Sequence, residues 1–332
     1  MTQYHIYGLG AALVDTEIEV TDQQLENMGV EKGLMTLVDQ ARQQQLSQAL
    51  QGQLVHSKRA SGGSACNSII AASYFGANTF YSCKVADDEN GQFFLDDLKA
   101  AQVDANFDAV KPQGITGKCL VLITPDAERS MNTYLGISES LSKVQLNADA
   151  IAASEYLYYE GYLVTSVTGR AAAVEARKIA ERHHVKTALS LSDPGMVQFF
   201  KDGLVEMIGD GVDLVFCNEA EAKGWAGTDD LDTAVGALKK IAKSFAITLG
   251  ANGALLFDGE KLINIAAHAV NAVDTNGAGD MFAGAFLFAI TQGRSFAEAG
   301  RLASLAAAEV VSHFGPRLAA SKHQQLLDCI AR

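Results

Sequence analysis

The stretch that decides the fold is Val273-Asp274-Thr275-Asn276-Gly277-Ala278-Gly279-Asp280, running on into Met281-Phe282-Ala283-Gly284-Ala285-Phe286-Leu287-Phe288. A glycine-rich turn opens an apolar helix, expected over 277–291, and puts a carboxylate in its first turn. N–H groups at a helix start lack intrahelical partners and carry the positive end of the helix dipole. They suit an anion, and glycine lets the backbone come close to it. A carboxylate beside an anion site is unfavourable unless it does chemical work. Taking a proton from a hydroxyl, while the helix start holds a phosphoryl group, is such work. The competing reading is that Asp280 merely caps the helix.

Outward from that stretch, short apolar runs alternate with longer amphipathic ones. Strands are expected at 4–10, 78–85, 119–124, 156–159, 187–191, 213–217, 245–249 and 254–257. Helices are expected at 67–75, 91–101, 169–183, 231–243, 277–291 and 296–312. Alternation from residue 154 onward points to a mainly parallel sheet with helices on both faces. Two segments break the rhythm. Leu13-Val14-Asp15-Thr16-Glu17-Ile18-Glu19-Val20 alternates with period two, and 115–134 reads as two strands about Thr124-Pro125-Asp126-Ala127-Glu128. Such half-buried strands suit a small sheet standing over a cleft as a lid that excludes water.

Four further motifs carry polar groups. Gly8-Leu9-Gly10-Ala11-Ala12-Leu13 follows a strand, but it lacks the third glycine and leads into a strand instead of a helix, which argues against dinucleotide binding. Asp15 comes just after it, as an acceptor for substrate hydroxyls or as a turn residue. Ser61-Gly62-Gly63-Ser64-Ala65-Cys66-Asn67 is a glycine pair entering a helix; Asn67 can donate and accept to a diol, or it and Ser64 cap the helix. Asn218-Glu219-Ala220-Glu221 ends an apolar strand, where open sheets bind ligands and where a carboxylate suits a hydrated Mg²⁺. Thr248-Leu249-Gly250-Ala251-Asn252-Gly253 forms a polar turn at another strand end, a nucleotide rim or a plain turn.

Composition excludes several classes. The chain has 332 residues, 26 of them basic and 39 acidic, for a net charge of -13, which argues against nucleic-acid and anionic-membrane partners. Five scattered cysteines without a CxxC pair read as reduced thiols, and His183-His184 reads as a solvated helix end instead of a metal site. The start, Met1-Thr2-Gln3-Tyr4-His5, has neither a basic nor an apolar leader region, and no apolar run is long enough to span a bilayer. A cytoplasmic protein is expected.

Taken together, Gly62–Asp104 (opening Gly-Gly-Ser-x-x-Asn) and Asp274–Phe288 (opening Asp-Thr-x-Gly-Ala-Gly-Asp) resemble the two signatures of the PfkB family of carbohydrate and nucleoside kinases. The resemblance covers nearly the whole chain. It implies a ribokinase-like three-layer α/β/α fold, with residues 1–332 as one domain and a discontinuous β lid from about 13–36 and 112–137. It implies an ATP-dependent kinase in which Asp280 is the base, Gly277, Ala278 and Gly279 form the anion hole, and Arg129 lies close to the transferred phosphate. Asp15, Gly62, Gly63 and Asn67 would bind the acceptor. Asn218, Glu221, Thr248, Gly250 and Gly253 would serve ATP, with Glu221 acting on Mg²⁺ through water. Asp274, Asn276 and Gly315 match a K⁺ site.

Gly62-Gly63-Ser64-x-x-Asn67, Leu189-Ser190-Leu191-Ser192-Asp193-Pro194 and Asn218-Glu219-Ala220-Glu221-Ala222 look most similar to the adenosine kinase branch, implying transfer to the 5′-hydroxyl of adenosine. Ala11-Ala12 stands where many adenosine kinases carry Asn-Pro, and Thr124–Arg129 resembles the lid of sugar kinases. The alternative acceptor is therefore a sugar such as ribose, fructose or 2-keto-3-deoxygluconate, and a further alternative is a non-catalytic nucleoside sensor. Tyr134, Leu135, Tyr162 and Leu163 are either a base pocket or core. The expected partner is a small-molecule nucleoside or sugar, with monomer and homodimer both open.

Overall fold

In the computed structural model, residues 2–53 and 59–330 are described. The expected single domain of 1–332 therefore includes residues 1, 54–58, 331 and 332, which lie outside the described residues. The chain begins with β1 (Tyr4–Leu9), β2 (Leu13–Glu19), α1 (Asp22–Met28), β3 (Met35–Leu37) and α2 (Gln40–Ala49). There follow β4 (Arg59–Gly62), α3 (Ser64–Phe75), β5 (Thr79–Ser82), α4 (Glu89–Ala100), β6 (Val103–Ala105), β7 (Gly117–Ile123) and β8 (Arg129–Tyr134). After α5 (Ala148–Ala152) come β9 (Ser154–Glu160), α6 (Val167–Arg182), β10 (Lys186–Ser190), α7 (Pro194–Phe199), α8 (Lys201–Ile208) and β11 (Val212–Asn218). The rest is α9 (Glu219–Ala226), α10 (Leu231–Leu238), β12 (Ala242–Thr248), β13 (Ala254–Phe257), β14 (Leu262–Ile265), α11 (Ala278–Thr291), α12 (Phe296–Val311) and α13 (Ala320–Ile330).

Nine strands form the main sheet in the order β14-β13-β12-β11-β10-β9-β1-β5-β6. It is parallel from β6 to β12 and antiparallel over β13 and β14. Alternation along β9 shows how both faces are covered. Tyr156 and Tyr158 enter a core built with α3, α4, α11 and α12, while Leu157 and Tyr159 enter a second core with α5–α10. The chain reverses its direction of travel across the sheet between β9 and β1, and the crevice beyond the carboxyl ends of those strands is where such sheets bind ligands.

Five strands, in the order β3-β8-β7-β2-β4, form the smaller sheet. Its outer face packs Ile18, Val20, Leu120 and Leu122 against Leu25 of α1 and Leu46 of α2. Its inner face carries Leu13, Asp15 and Cys119 toward the crevice. Two details depart from the sequence reading. The small sheet also takes in β4, whose Arg59–Gly62 backbone pairs antiparallel with β2 although Ser and Gly give it little strand character. The helix expected at 231–243 stops at Leu238, because Ala242 already pairs with Val212 in the main sheet.

Among the described residues no helix is long and apolar enough to cross a membrane. Cys66, Cys119 and Cys217 are buried free thiols, Cys83 is half-buried and Cys329 is exposed.

Candidate active site

The ends of β1, β9, β10, β11 and β12, the inner face of the small sheet and the start of α11 enclose a cavity of about 860 Å³. That is room for more than one ligand of nucleoside size. Asp15, Gly63, Asn67, Arg129, Asn218, Glu221, Thr248, Gly250, Gly253, Asn276, Gly277, Ala278, Gly279 and Asp280 all line it. Gly62, Asp274 and Gly315 do not.

At one end Asp280 is the focus. Its carboxylate accepts from Ser64 Oγ at 2.6 Å and from Asn67 Nδ2 at 3.1 Å, so the starts of α3 and α11 are tied together through the acid. Burial raises the Asp280 carboxyl above its ordinary value, while Ser64, Asn67 and the Arg129 charge pull it back down. Asp15 stands nearby on β2, not in a turn, and is pushed well up by burial and by Glu17, with Arg317 opposing. Asp15 Oδ1 and Asn67 Oδ1 are both buried and have no hydrogen-bond partner among the described residues. Buried acceptors without partners are costly unless a ligand supplies donors, and both residues line the cavity. Gly62 lies against Asp15, and a side chain there would collide with its carboxylate.

Gly277, with φ 75°, caps α11, and a Cβ on it would strike the Pro316 carbonyl. Ala278 N–H donates to Thr275 O at 3.3 Å, whereas Gly279 opens onto empty space. Asp274 is fully buried and braces the loop, accepting from Asn276 N at 2.8 Å and from Gly315 N at 2.9 Å. Beyond these two accepted bonds its oxygens keep lone pairs, a donor set that a monovalent cation would fit. Arg129 opens β8, reaches Thr275 Oγ1 at 3.5 Å, and keeps a buried Nε without a partner among the described residues.

At the other end Asn218 and Glu221 form a reciprocal cap on α9. Glu221 accepts from Asn218 N at 3.0 Å and Nδ2 at 2.7 Å, and Asn218 Oδ1 accepts from Glu221 N at 2.8 Å. Burial lifts the Glu221 carboxyl to about 7. Each of its oxygens keeps a lone pair, which fits contact with a hydrated divalent cation, since hard cations favour oxygen donors. Among the described residues there is no group of three or more His, Cys, Asp or Glu able to chelate a metal. Thr248, Gly250 and Gly253 form the rim, joined by Ala267–Val270 and by Ser304, Ala307 and Ala308 of α12, which the motifs gave no reason to choose.

Glu160 was also missed. It is fully buried at the end of β9 and lines the cavity; its two oxygens accept from Ala11 N and Ala65 N, each at 2.7 Å. It thus fastens the start of α3, which has no side-chain cap of its own, to the link between the two sheets. Burial lifts its carboxyl to about 7. Leu135 and Tyr162 line the cavity as well, whereas Leu163 belongs to the core and Tyr134 lines neither.

The pfkB family carbohydrate kinase profile matches residues 34–323. The adenosine kinase from Sinorhizobium meliloti superposes with a TM-score of 0.91 at 35% identity, over 97% of this chain and 99% of that one. A probable sugar kinase from Rhizobium etli gives a TM-score of 0.91 at 33% identity, over 99% of both chains. The adenosine kinase of Schizophyllum commune is 28% identical over 98% of this chain and 100% of its own. With this profile match and these relatives, the chain belongs to the pfkB family of carbohydrate kinases and is an ATP-dependent kinase.

Proposed function

We propose that this kinase transfers the terminal phosphoryl group of ATP to the 5′-hydroxyl of adenosine. The observation that carries the reading is the pair of buried, unanswered acceptors, Asp15 Oδ1 and Asn67 Oδ1, beside Asp280. A ribose diol supplies the two donors they lack. In this reading the acceptor's hydroxyl meets Asp280, which takes its proton as the bond to phosphorus forms. The start of α11 stabilises the transferring group, and Arg129 adds a positive charge to it. Mg²⁺, when bound, neutralises phosphate charge. Glu221 accepts hydrogen bonds from its water shell, and Asn218 keeps Glu221 in that orientation. Asp274, Asn276 and Gly315 are assigned to a K⁺ that steadies the phosphate loop. The small sheet acts as the lid that keeps water from the phosphoryl group.

Adenosine is favoured over a free sugar because, apart from Asp15, Arg129 and Thr133, the small sheet and the residue after it meet the cavity with apolar side chains. Leu13, Met35, Leu37, Met131 and Leu135 line it, a surface that a purine covers and a sugar leaves wet. The likeness to the Sinorhizobium meliloti enzyme points the same way. The second reading, a sugar acceptor, has the Rhizobium etli relative behind it. ADP release with Mg-ATP and K⁺ across adenosine, inosine, ribose, fructose and 2-keto-3-deoxygluconate decides between them. Turnover at micromolar adenosine with inert sugars is the expected result. Turnover on a sugar alone would overturn the adenosine assignment.

A further inference from the structure

We propose that Glu17 is a positioning residue that couples acceptor binding to the phosphate-facing loop, an inference that rests on the acceptor site proposed above. Glu17 lies two residues beyond Asp15 on β2, so both side chains leave the same face of the strand. It is buried, and its Oε1 accepts from Asn276 Nδ2 at 3.4 Å. Its Oε2 faces Gly315, where a Cβ would stand 3.4 Å away. Asn276 directly precedes Gly277, the cap of α11, and Gly315 is the second chain segment gripped by Asp274. From the body Asp274 holds both segments by their backbones, and from the small sheet Glu17 meets the same two.

A second contact from the small sheet reaches the adjoining residue. Ala127, at the turn between β7 and β8, accepts from Thr275 N at 3.4 Å and from Thr275 Oγ1 at 3.1 Å. Its φ of 63° is a left-handed conformation that is uncommon away from glycine. Thr275 and Asn276 are therefore both fastened to the sheet that carries Asp15.

Burying a carboxylate two residues from Asp15 is unfavourable, because like charges disfavour each other in a low-dielectric site. An apolar residue would serve packing better, but it could not accept from Asn276. A strand transmits displacement along its length, so occupying Asp15 settles Glu17 and with it Asn276. By linkage, acceptor and phosphate binding each strengthen the other by the same factor.

The test uses the full chain at fixed K⁺, with adenosine and the non-hydrolysable β,γ-imido analogue of Mg-ATP as probes. Calorimetry gives the analogue's affinity with and without adenosine, and steady-state kinetics give kcat and KM. The wild-type ratio of affinities is expected to be at least about 5-fold. In Glu17→Ala it falls to about 1 and kcat drops on the order of 10- to 100-fold, while adenosine KM changes by less than about 3-fold. Glu17→Gln keeps an oxygen for Asn276 and retains most of both. Asn276→Ala, which removes the donor, loses the coupling to the same degree as Glu17→Ala, and it carries the test if Glu17→Ala does not fold. A retained affinity ratio in Glu17→Ala or Asn276→Ala overturns the inference. So does a lowered Tm with unchanged kcat and coupling, or a Glu17→Gln as impaired as the alanine variant. If the wild type phosphorylates a sugar instead, that sugar replaces adenosine in the same experiment. If it phosphorylates no acceptor, the proposed function fails and this inference with it.

Discussion

Ser64 and Asp280, 216 positions apart in the chain, meet across 2.6 Å, with the hydroxyl donating to the carboxylate. Each stands in the first turn of its helix, so α3 and α11 bring their N-termini to one point. The positive ends of two helix dipoles converge there on the acid proposed as base.

Replacing that acid tests the role directly. Asp280→Asn is expected to lower kcat on the order of 10²–10⁴, the range for loss of a general base. Its Tm should stay near the wild-type value, because the amide keeps one acceptor for Ser64 or Asn67. Near-normal ADP release by the folded variant would remove Asp280 from the chemistry.

Arg129 should contribute to the acid limb of the pH profile. The base must be ionised, so activity falls as pH drops through the Asp280 pKa, which lies above its ordinary value. The Arg129 charge lowers that pKa. Arg129→Ala is therefore expected to move the limb to higher pH and to reduce kcat on the order of 10². A pH–kcat/KM series measures both, and an unmoved limb would contradict the assigned contact.

Two glycines of the proposed phosphate loop should respond in opposite ways. Gly277→Ala places a methyl against Pro316 at a positive φ and is expected to destabilise by about 1–3 kcal/mol. Gly279→Ala meets nothing within 4 Å and gains helix propensity, so stability holds or rises by up to about 1 kcal/mol. Its methyl nonetheless enters the space proposed for the phosphoryl group, and kcat should fall. Denaturant melts and ADP release on both variants separate strain from occlusion.

Glu160 gives a stability prediction with a defined sign. Its folded-state carboxyl titrates near 7 against an ordinary 4.5, so the folded chain binds more protons than the unfolded one between those values. Stability from this group is present below about pH 4.5 and is lost as pH rises to about 7, an effect on the order of 3 kcal/mol. Glu160→Gln should flatten that part of the curve. Glu221, also lifted to about 7, and the raised Asp15, Asp193 and Asp280 keep contributing to the slope that remains. Unchanged pH dependence in chemical melts of the variant would show that the buried Glu160 charge does not drive it.

What could be read from the sequence follows from how local each signal is. Asp280 was legible because glycines, carboxylate and apolar helix adjoin, and Asn218–Glu221 because an apolar strand ends on them. The same rule would have found Glu160 had the expected strand run one residue past Tyr159. Glu17 read only as one position in an alternating strand, since its partner Asn276 lies 259 residues away. β4 was hidden by its composition, and the helix expected at 231–243 was drawn too long because the sheet claims Ala242 regardless of local periodicity.

The contacts that make the site span 149, 216 and 259 residues. The first, Ala11 to Glu160, can close once β9 is made, but the two longer ones cannot close while α11 is still unmade, because α11 carries Asp280 and follows directly on Asn276 and Gly277. During synthesis the first sheet strands and α3 can settle, but the proposed phosphate loop and its acid follow β14, after all the strands described. With Asp280 as the proposed base, an unfinished chain is expected to have no means of spending ATP, and activity to appear only once these long-range closures, the slowest kind in folding, are complete.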